Sequence, residues 1–544
     1  MRSGNWRNEF FICRGMTGSG RKGKYRSLFS VRKRKKKSRQ AGLKGRRGSA
    51  VVLLCILFVT IAGALAATYE AADRKAAINL SEAAFDSAGR SILACYDKPL
   101  FERYGIFAFE GDEDKTEKRL KKIAELSVGT PRVAGCRVDK VEAEQAAYAL
   151  TDPDNLMLQI REITKRSAVV DVLGSLKEEA STAEDKVKEK KQAENKAKEL
   201  EEEREEAKRR AEEAVERARQ AAEEDGDQEA VEAASSAELS EIEDAEKVQN
   251  DLKARADSIT GEKNSYDSEG RSLKNGRVSE SLPSAAAGCK EKRAYAGGSV
   301  LKDLSEDGTG EALGDDLITT GYIESYFRNE LDEDSADDHF FRCEVEYILY
   351  GCMSDEENYK KAYHSIFAVR TAVNTAYLYM DPEKSALILA TAEAMTPGPF
   401  APLTQVLLTL AWAAVESEND MKNLEAGNGV PLIKNSATWM TDIDGAAKGA
   451  SGGEDYIPVP GDSHMTYSRY LDMLLLTLDR DTKLYRIMDL IQINLKGTER
   501  ADFTMSDHFT GLALKAEIAK KSHAVGVVDS TAEINMIHTY LTGG

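Results

Sequence analysis

The sequence predicts an α+β protein, mostly helical, with one N-terminal transmembrane helix that runs on into a helical stem. Three observations predict it. An uncharged stretch of 22 residues, 48–69, follows a strongly basic block. Long heptad-spaced segments rich in Ala, Glu, Lys and Arg fill the middle of the chain. Only a few short segments alternate apolar and polar residues, and they lie far apart, which suits one small antiparallel sheet with helices inserted between its strands. The 544 residues allow roughly three to five folding units and a core that needs no disulfide or metal staple. Charged residues make up 31% and aromatics 7%, a balance that favours long solvated helices over one large enzyme core. Collagen-like, disulfide-framework and multi-spanning membrane classes are excluded; no reaction is named.

Charge divides the chain. Residues 1–49 hold 17 Lys and Arg against the single acid Glu9, a net +16, and the remainder carries −34. Ala50 to Ala67 reads AVVLLCILFVTIAGALAA, and 18 helical residues rise about 27 Å, close to the ~30 Å hydrocarbon core. The basic block, densest at Arg32–Lys37, fixes the tail in the cytoplasm by the positive-inside rule and exports the acidic bulk. It also meets anionic lipid headgroups. Without aromatic interleaving or a nucleic-acid module, it is not read as binding nucleic acid. A cleaved signal peptide is the rival to a retained anchor, because Ala64-Leu65-Ala66 forms an A-x-A site.

The elements then follow in order. The stem and first strands occupy 68–167. Ile78, Phe85, Ala88, Ile92 and Cys95 mark one apolar helix face, Glu70, Asp73, Arg74, Lys75, Asp86 and Arg90 a solvated one, and Pro99 is the expected stop. Strands are expected at Tyr104–Phe109, 133–143, Cys343–Leu349 and around Leu512–Ile518. Residues 168–260 carry two heptad seams, one mostly Ala from Ala183 to Ala221, one from Val231 to Ile259, separated by Asp225-Gly226-Asp227. They read as an antiparallel helical hairpin; a lone solvated helix and an intermolecular coiled coil are the alternatives. Pairs such as Glu206/Arg210 and Glu213/Arg217 each add only ~0.3–0.5 kcal/mol. Residues 261–299 read as a flexible Gly/Ser linker, and 300–544 as a helical block with closing strands. Within that block Phe400–Val415 is apolar but only 16 residues long and carries Pro402, Thr404, Gln405 and Thr409. It is expected as a buried helix, with membrane-surface contact or a second span as rivals.

No catalytic, cofactor-binding or metal-binding residue is assigned. Cys13 precedes the apolar segment and Cys55 lies in it; Cys95, Cys136, Cys289, Cys343 and Cys352 follow, odd in number and without C-x-x-C. One or two disulfides or buried free thiols fit equally. His339, His364, His464, His508, His523 and His538 are scattered and form no H-E-x-x-H string. Gly308-Thr309-Gly310 with Gly314 lacks the spacing of a nucleotide-binding loop. The acids Asp332-Glu333-Asp334 and Asp337-Asp338 fail the EF-hand pattern, which would need Gly and Glu where Asp337 and Cys343 stand.

Several stretches resemble known families. Arg46-Arg47-Gly48-Ser49-Ala50 before an apolar helix resembles the start of TadE- and TadG-like pseudopilins of the tight-adherence (Flp) pilus system. Leu93 to Phe109 (LACYDKPLFERYGIFAF) resembles the hallmark of domain of unknown function 5702. So do Asp152-Pro153-Asp154 with Leu158–Arg166, Glu344–Gly351 (EVEYILYG), and Thr482–Gln492 (TKLYRIMDLIQ). The resemblance implies a membrane-anchored, extracytoplasmic structural protein with a pilin-like stem and protein partners in a pilus or secretion complex. It implies no catalytic residues. Leu53 stands where pilin-like segments place Glu, counting Ser49 as first, so the processing signal is incomplete. An exported enzyme built on residues 300–500, with His364, His464 or His508 among carboxylates, and a cation-binding module are the competing expectations.

Overall fold

The computed structural model describes residues 47–128, 136–164, 169–224, 229–261, 282–286, 310–332, 339–448, 456–461, 465–522 and 528–540. Two compact units are present, residues 1–69 and 70–544. The described part of the first is the start of helix α1 (Arg47–Leu93). Its large apolar side chains from Val51 to Leu65 are all at least half exposed.

The second unit contains a sheet body and a helical block. In chain order its elements are the rest of α1, α2 (Lys98–Tyr104), β1 (Phe109–Glu110), α3 (Glu113–Val128), β2 (Cys136–Glu144), α4 (Pro153–Thr164), α5 (Val169–Glu224) and α6 (Glu229–Gly261). Then come α7 (Pro283–Ala286), α8 (Gly310–Tyr326), α9 (Glu344–Tyr350), α10 (Asp355–Met380), α11 (Pro382–Met395), α12 (Ala401–Glu425), α13 (Ile443–Lys448), α14 (Tyr467–Leu475) and α15 (Arg480–Thr498). Strands β3 (His508–Phe509), β4 (Gly511–Lys520) and β5 (Ser530–Thr539) close the chain. The chain is mostly helical with a small antiparallel sheet, the fold class its patterning predicts.

The sheet has order β2-β4-β5, with Val141 opposite Ala516 and Ala516 opposite Ile534. Its inner face takes Val138, Val141, Leu512, Leu514, Ile518 and Ile534 onto Leu120 and Ala124 of α3 and onto Phe85, Ala88 and Ile92 of α1. The predicted apolar face of the stem is therefore the packed one, except Cys95, which is exposed. Gly89 permits the closest approach: a Cβ there would lie 2.3 Å from the His538 ring of β5.

Several expectations are corrected. The stem helix stops at Leu93, not at Pro99, because Asp97 caps a new helix and Pro99 sits in its first turn. Glu70, expected in water, is buried beside Arg74. Tyr104–Phe109 is not a strand: Tyr104 ends α2, Gly105 turns the chain at φ 69°, and only Phe109 joins a two-residue strand. Cys343–Leu349 is not a strand either but leads into α9. Its alternation misled because Glu344 and Glu346 are as buried as their apolar neighbours. The edge strand β5 was not anticipated.

Helices α5 and α6 run antiparallel. Glu201 meets Lys253 at 3.1 Å, Arg204 meets Gln249 at 3.0 Å, and Lys208 meets Glu246 at 2.6 Å. The expected seams face inward: Ala183, Ala193, Ala197, Ala211 and Ala218 on one helix, Ile242, Ala245 and Leu252 on the other. The pair is not purely solvated, since Leu176, Ala180, Ala183 and Val187 join the main core and Leu252 packs with Trp412 and Trp439. Most of the linker expected at 261–299 lies outside the described residues, but Leu282 within it is buried and Pro283–Ala286 is a helical turn. Of Phe400–Val415, Phe400 caps the buried helix α12 and the rest lies in it, as expected from its length. Among the described residues two helices, 50–93 and 398–425, are long and apolar enough to cross a membrane, and the apolar window of the second is 56% buried in protein.

Candidate functional site

Polar side chains from distant parts of the chain meet at α15. Asp479 caps its start by accepting from the Thr482 amide. The helix is apolar enough to be buried along its length, yet Asp489, Gln492 and Asn494 interrupt Leu490-Ile491-Ile493-Leu495. Each of those polar groups has a remote partner, as buried polar groups require. Asn494 donates to Tyr104 Oη (3.0 Å) and Glu344 Oε1 (2.6 Å) and accepts from the Phe340 amide. Asp489 accepts from Tyr347 Oη (2.8 Å) and the Ser284 amide (3.0 Å). Gln492 accepts from the Met505 amide at 2.8 Å.

The cations of α15 add further ties. Arg486 donates to the carbonyls of Ile348 and Leu349 at the end of α9. Gly351, at φ 64°, is needed there, since a Cβ would lie 2.8 Å from Arg486 Nε. Lys483, fully buried, donates to Asp316 and to the Leu475 carbonyl, and burial lowers its pKa. Arg480 reaches Asp154 at 2.9 Å, and Arg161 grips Asp315 with two bonds of 2.7 and 2.6 Å. Just past α15, Arg500 pairs with Asp97 and Glu110. Segments around 97–110, 154–161, 315–322, 344–351 and 480–508 are thus knitted into one hub.

The buried carboxyl groups in and beside the hub are tuned apart. Burial pushes Glu346 up to about 8, although its Oε1 accepts from the Glu330 amide and Tyr467 Oη. Burial likewise lifts Asp472 to about 8, with Glu324 adding to it, and Asp489 to about 6. Burial also works against Asp97, but His508, the Leu100 amide and Arg500 outweigh it and bring that carboxyl down to about 2. Folding therefore favours the protonated forms of Glu346 and Asp472. Their contribution is complete below the ordinary carboxyl range and is lost as pH rises through about 8. Asp97 is the reverse: its contribution is present above the ordinary range and is lost as pH falls through about 2. Urea unfolding between pH 5 and 8 should show stability falling with pH. The Glu346→Gln variant should lose about 1.4 kcal/mol per pH unit of that slope; an unchanged slope would show that Glu346 ionises normally.

Among the described residues, the histidines singled out in the sequence have separate partners. His508 is buried, with Nε2 3.2 Å from Asp97 Oδ2 and Nδ1 2.7 Å from the Thr504 carbonyl oxygen. His364 lies on α10 beside Tyr363, and its pKa is lowered by burial and by Lys360. His339 contacts Glu344 at 2.7 Å, whereas its sequence neighbours Asp337 and Asp338 lie outside the described residues. His464, His523, Cys13, Cys289, Gly308, Thr309 and most of the 332–338 acids also lie outside them. Gly314 sits inside α8 rather than in a loop. Cys55, Cys95, Cys136 and Cys352 are free thiols; Cys343 is buried and bonded to Glu330, and burial drives its pKa far up. Among the described residues no group of three or more His, Cys, Asp or Glu is placed to hold a metal.

A second buried ionic cluster lies between α10 and α12. Arg370 bonds Asp420 (2.8 Å), Asn374, Tyr470 Oη and the carbonyls of Pro431 and Leu432. Lys434 pairs with Asp420 and Glu416, and Glu416 also accepts from the Met440 and Thr441 amides. Two cations thus face two carboxylates.

Residues 255–520 match the model of a family of unknown function (DUF5702). The matched segment holds both polar clusters except for the partners at 97–110 and 154–161. It includes the Glu344–Gly351 and Thr482–Gln492 stretches; Leu93–Phe109 and 152–166 lie before it. No curated protein and no solved structure matches the chain. In both clusters most donors and acceptors bond one another, which ties distant chain segments together. Sequence reasoning missed the hub, though its signal was present: ionisable residues set within the apolar runs of 344–349 and 484–495.

Proposed function

We propose that this chain is a single-pass membrane-anchored structural component of an extracytoplasmic assembly, of the kind that serves Tad/Flp pilus formation or secretion, and that it acts by binding protein partners rather than by catalysis. The observation that carries this reading is helix α1. Its first part bears exposed Val, Leu, Ile and Phe side chains that water would not tolerate as a contiguous surface. Its last part supplies Phe85, Ala88 and Ile92 to the core of an antiparallel sheet. The basic tail before residue 50 sets the orientation, with the N-terminus cytoplasmic and in contact with anionic headgroups, and residues 50–67 cross the bilayer. The small sheet docked on the end of a long helix supports a pilin-like stem, and the paired helices α5 and α6 offer a charged surface to partner subunits.

The test is topology. A reporter enzyme active only outside the cytoplasm, fused after Gly544, should be active in whole cells. A fluorescent protein that matures only in the cytoplasm should stay dark at the same site. The opposite pattern would overturn the reading.

A further inference from the structure

Where the paired helices meet the helical block, a cleft of about 330 Å³ opens between α5, α6, α10 and α12. Its floor is apolar: Phe367 and Ala368 from α10, Leu407, Leu410 and Ala414 from α12. The one hydroxyl of the floor, Thr371 Oγ1, donates to the Phe367 carbonyl and offers little to a polar guest. Six charged residues ring the mouth. Four are paired, Lys190 with Glu194 and Lys253 with Glu201. Lys198 and Asp257 are exposed and have no ion partner among the described residues. The antiparallel register that sets Glu201 beside Lys253 brings these two to the same level of the helix pair.

We infer that this cleft binds a single-chain zwitterionic amphiphile. Its apolar tail occupies the floor, its anionic group meets Lys198 and its cationic group meets Asp257. The volume suits a chain of roughly ten carbons, at about 30 Å³ for each group the size of a water molecule. A protein surface laid over the mouth would have to desolvate the two paired ion bridges, which is costly. A slender amphiphile leaves them in water. The inference does not depend on the topology proposed above, since the cleft lies wholly within residues 190–414.

The test uses the full chain in lipid nanodiscs with dodecylphosphocholine carrying a photoactivatable diazirine on its chain, at concentrations below micelle formation, and peptide mapping of the labelled sites. Saturable labelling of α5, α10 and α12 peptides, competed by unlabelled dodecylphosphocholine, is expected. Labelling confined to residues 50–69, or no saturation, would overturn the inference. Ala368→Trp, which fills the floor, should cut cleft labelling at least tenfold; unchanged labelling in a variant with native melting would count against the site. Lys198→Ala combined with Asp257→Ala alters only exposed side chains. That variant should raise half-saturation two- to fivefold, the range of exposed ion pairs, and unaltered half-saturation would overturn the head-group assignment.

Discussion

Replacing Asp420 with alanine should destabilise the helical block by about 3–5 kcal/mol, the usual cost of removing one partner from a buried ionic cluster. Asp420 is fully buried and serves both cations, Arg370 and Lys434. Without it, Arg370 keeps only neutral acceptors: Asn374, Tyr470 and two backbone carbonyls. Glu416 alone remains to balance two positive charges in a site closed to water. The loss reaches beyond α10 and α12, because the cluster also ties down the chain at Pro431–Leu432 and Met440–Thr441. Chemical denaturation of the purified full chain measures it. A companion variant, Glu416→Gln, retains hydrogen-bond acceptance toward Thr441 and should cost less. If Asp420→Ala shifted the midpoint no more than a surface substitution does, the cluster would not be the keystone of the block.

Deleting residues 50–67 should move the protein from the membrane pellet to the soluble fraction. A single arginine at Leu57 should weaken insertion by about 2.5–3.5 kcal/mol, the apparent cost of Arg at a helix centre. Leu57 lies near the middle of the uncharged stretch and is half exposed. Retention of the deletion variant in a high-salt- and carbonate-washed pellet would shift attention to α12, the other apolar helix of sufficient length among the described residues. That helix buries Leu403, Leu408, Trp412 and Met421 in protein, so the account expects no such retention.

How far the sequence disclosed this fold depended on how local each signal was. Heptad spacing is local, and the side chains it placed inward, from Ala183 to Ala218 and from Ile242 to Leu252, are the buried ones. Period-two alternation worked at 512–518 because one face of β4 meets the core while Lys515 and Glu517 stay in water. The same pattern failed at 343–349, where Glu344 and Glu346 are buried and bonded to His339, Asn494, Tyr467 and backbone amides from Arg328 and Glu330. Those partners stand up to 150 residues away. A buried polar hub depends on partners that only the folded chain brings together, so no local pattern announces Asn494 or Asp489 as its centre. The resemblance stretches did point to the right segments: Asp97, Tyr104, Asp154, Tyr347, Arg486 and Asp489 all take part in the hub. They gave no indication of which remote partners these residues would meet.

The central claim is an anchored chain whose body lies outside the cytoplasm, and native cysteines test it most directly. Cys95 is exposed at the end of the stem, and Cys13 precedes the apolar segment. A membrane-impermeant maleimide applied to intact cells should label Cys95, while Cys13 should react only after the membrane is opened. Labelling of Cys13 with protection of Cys95 in intact cells would contradict the account.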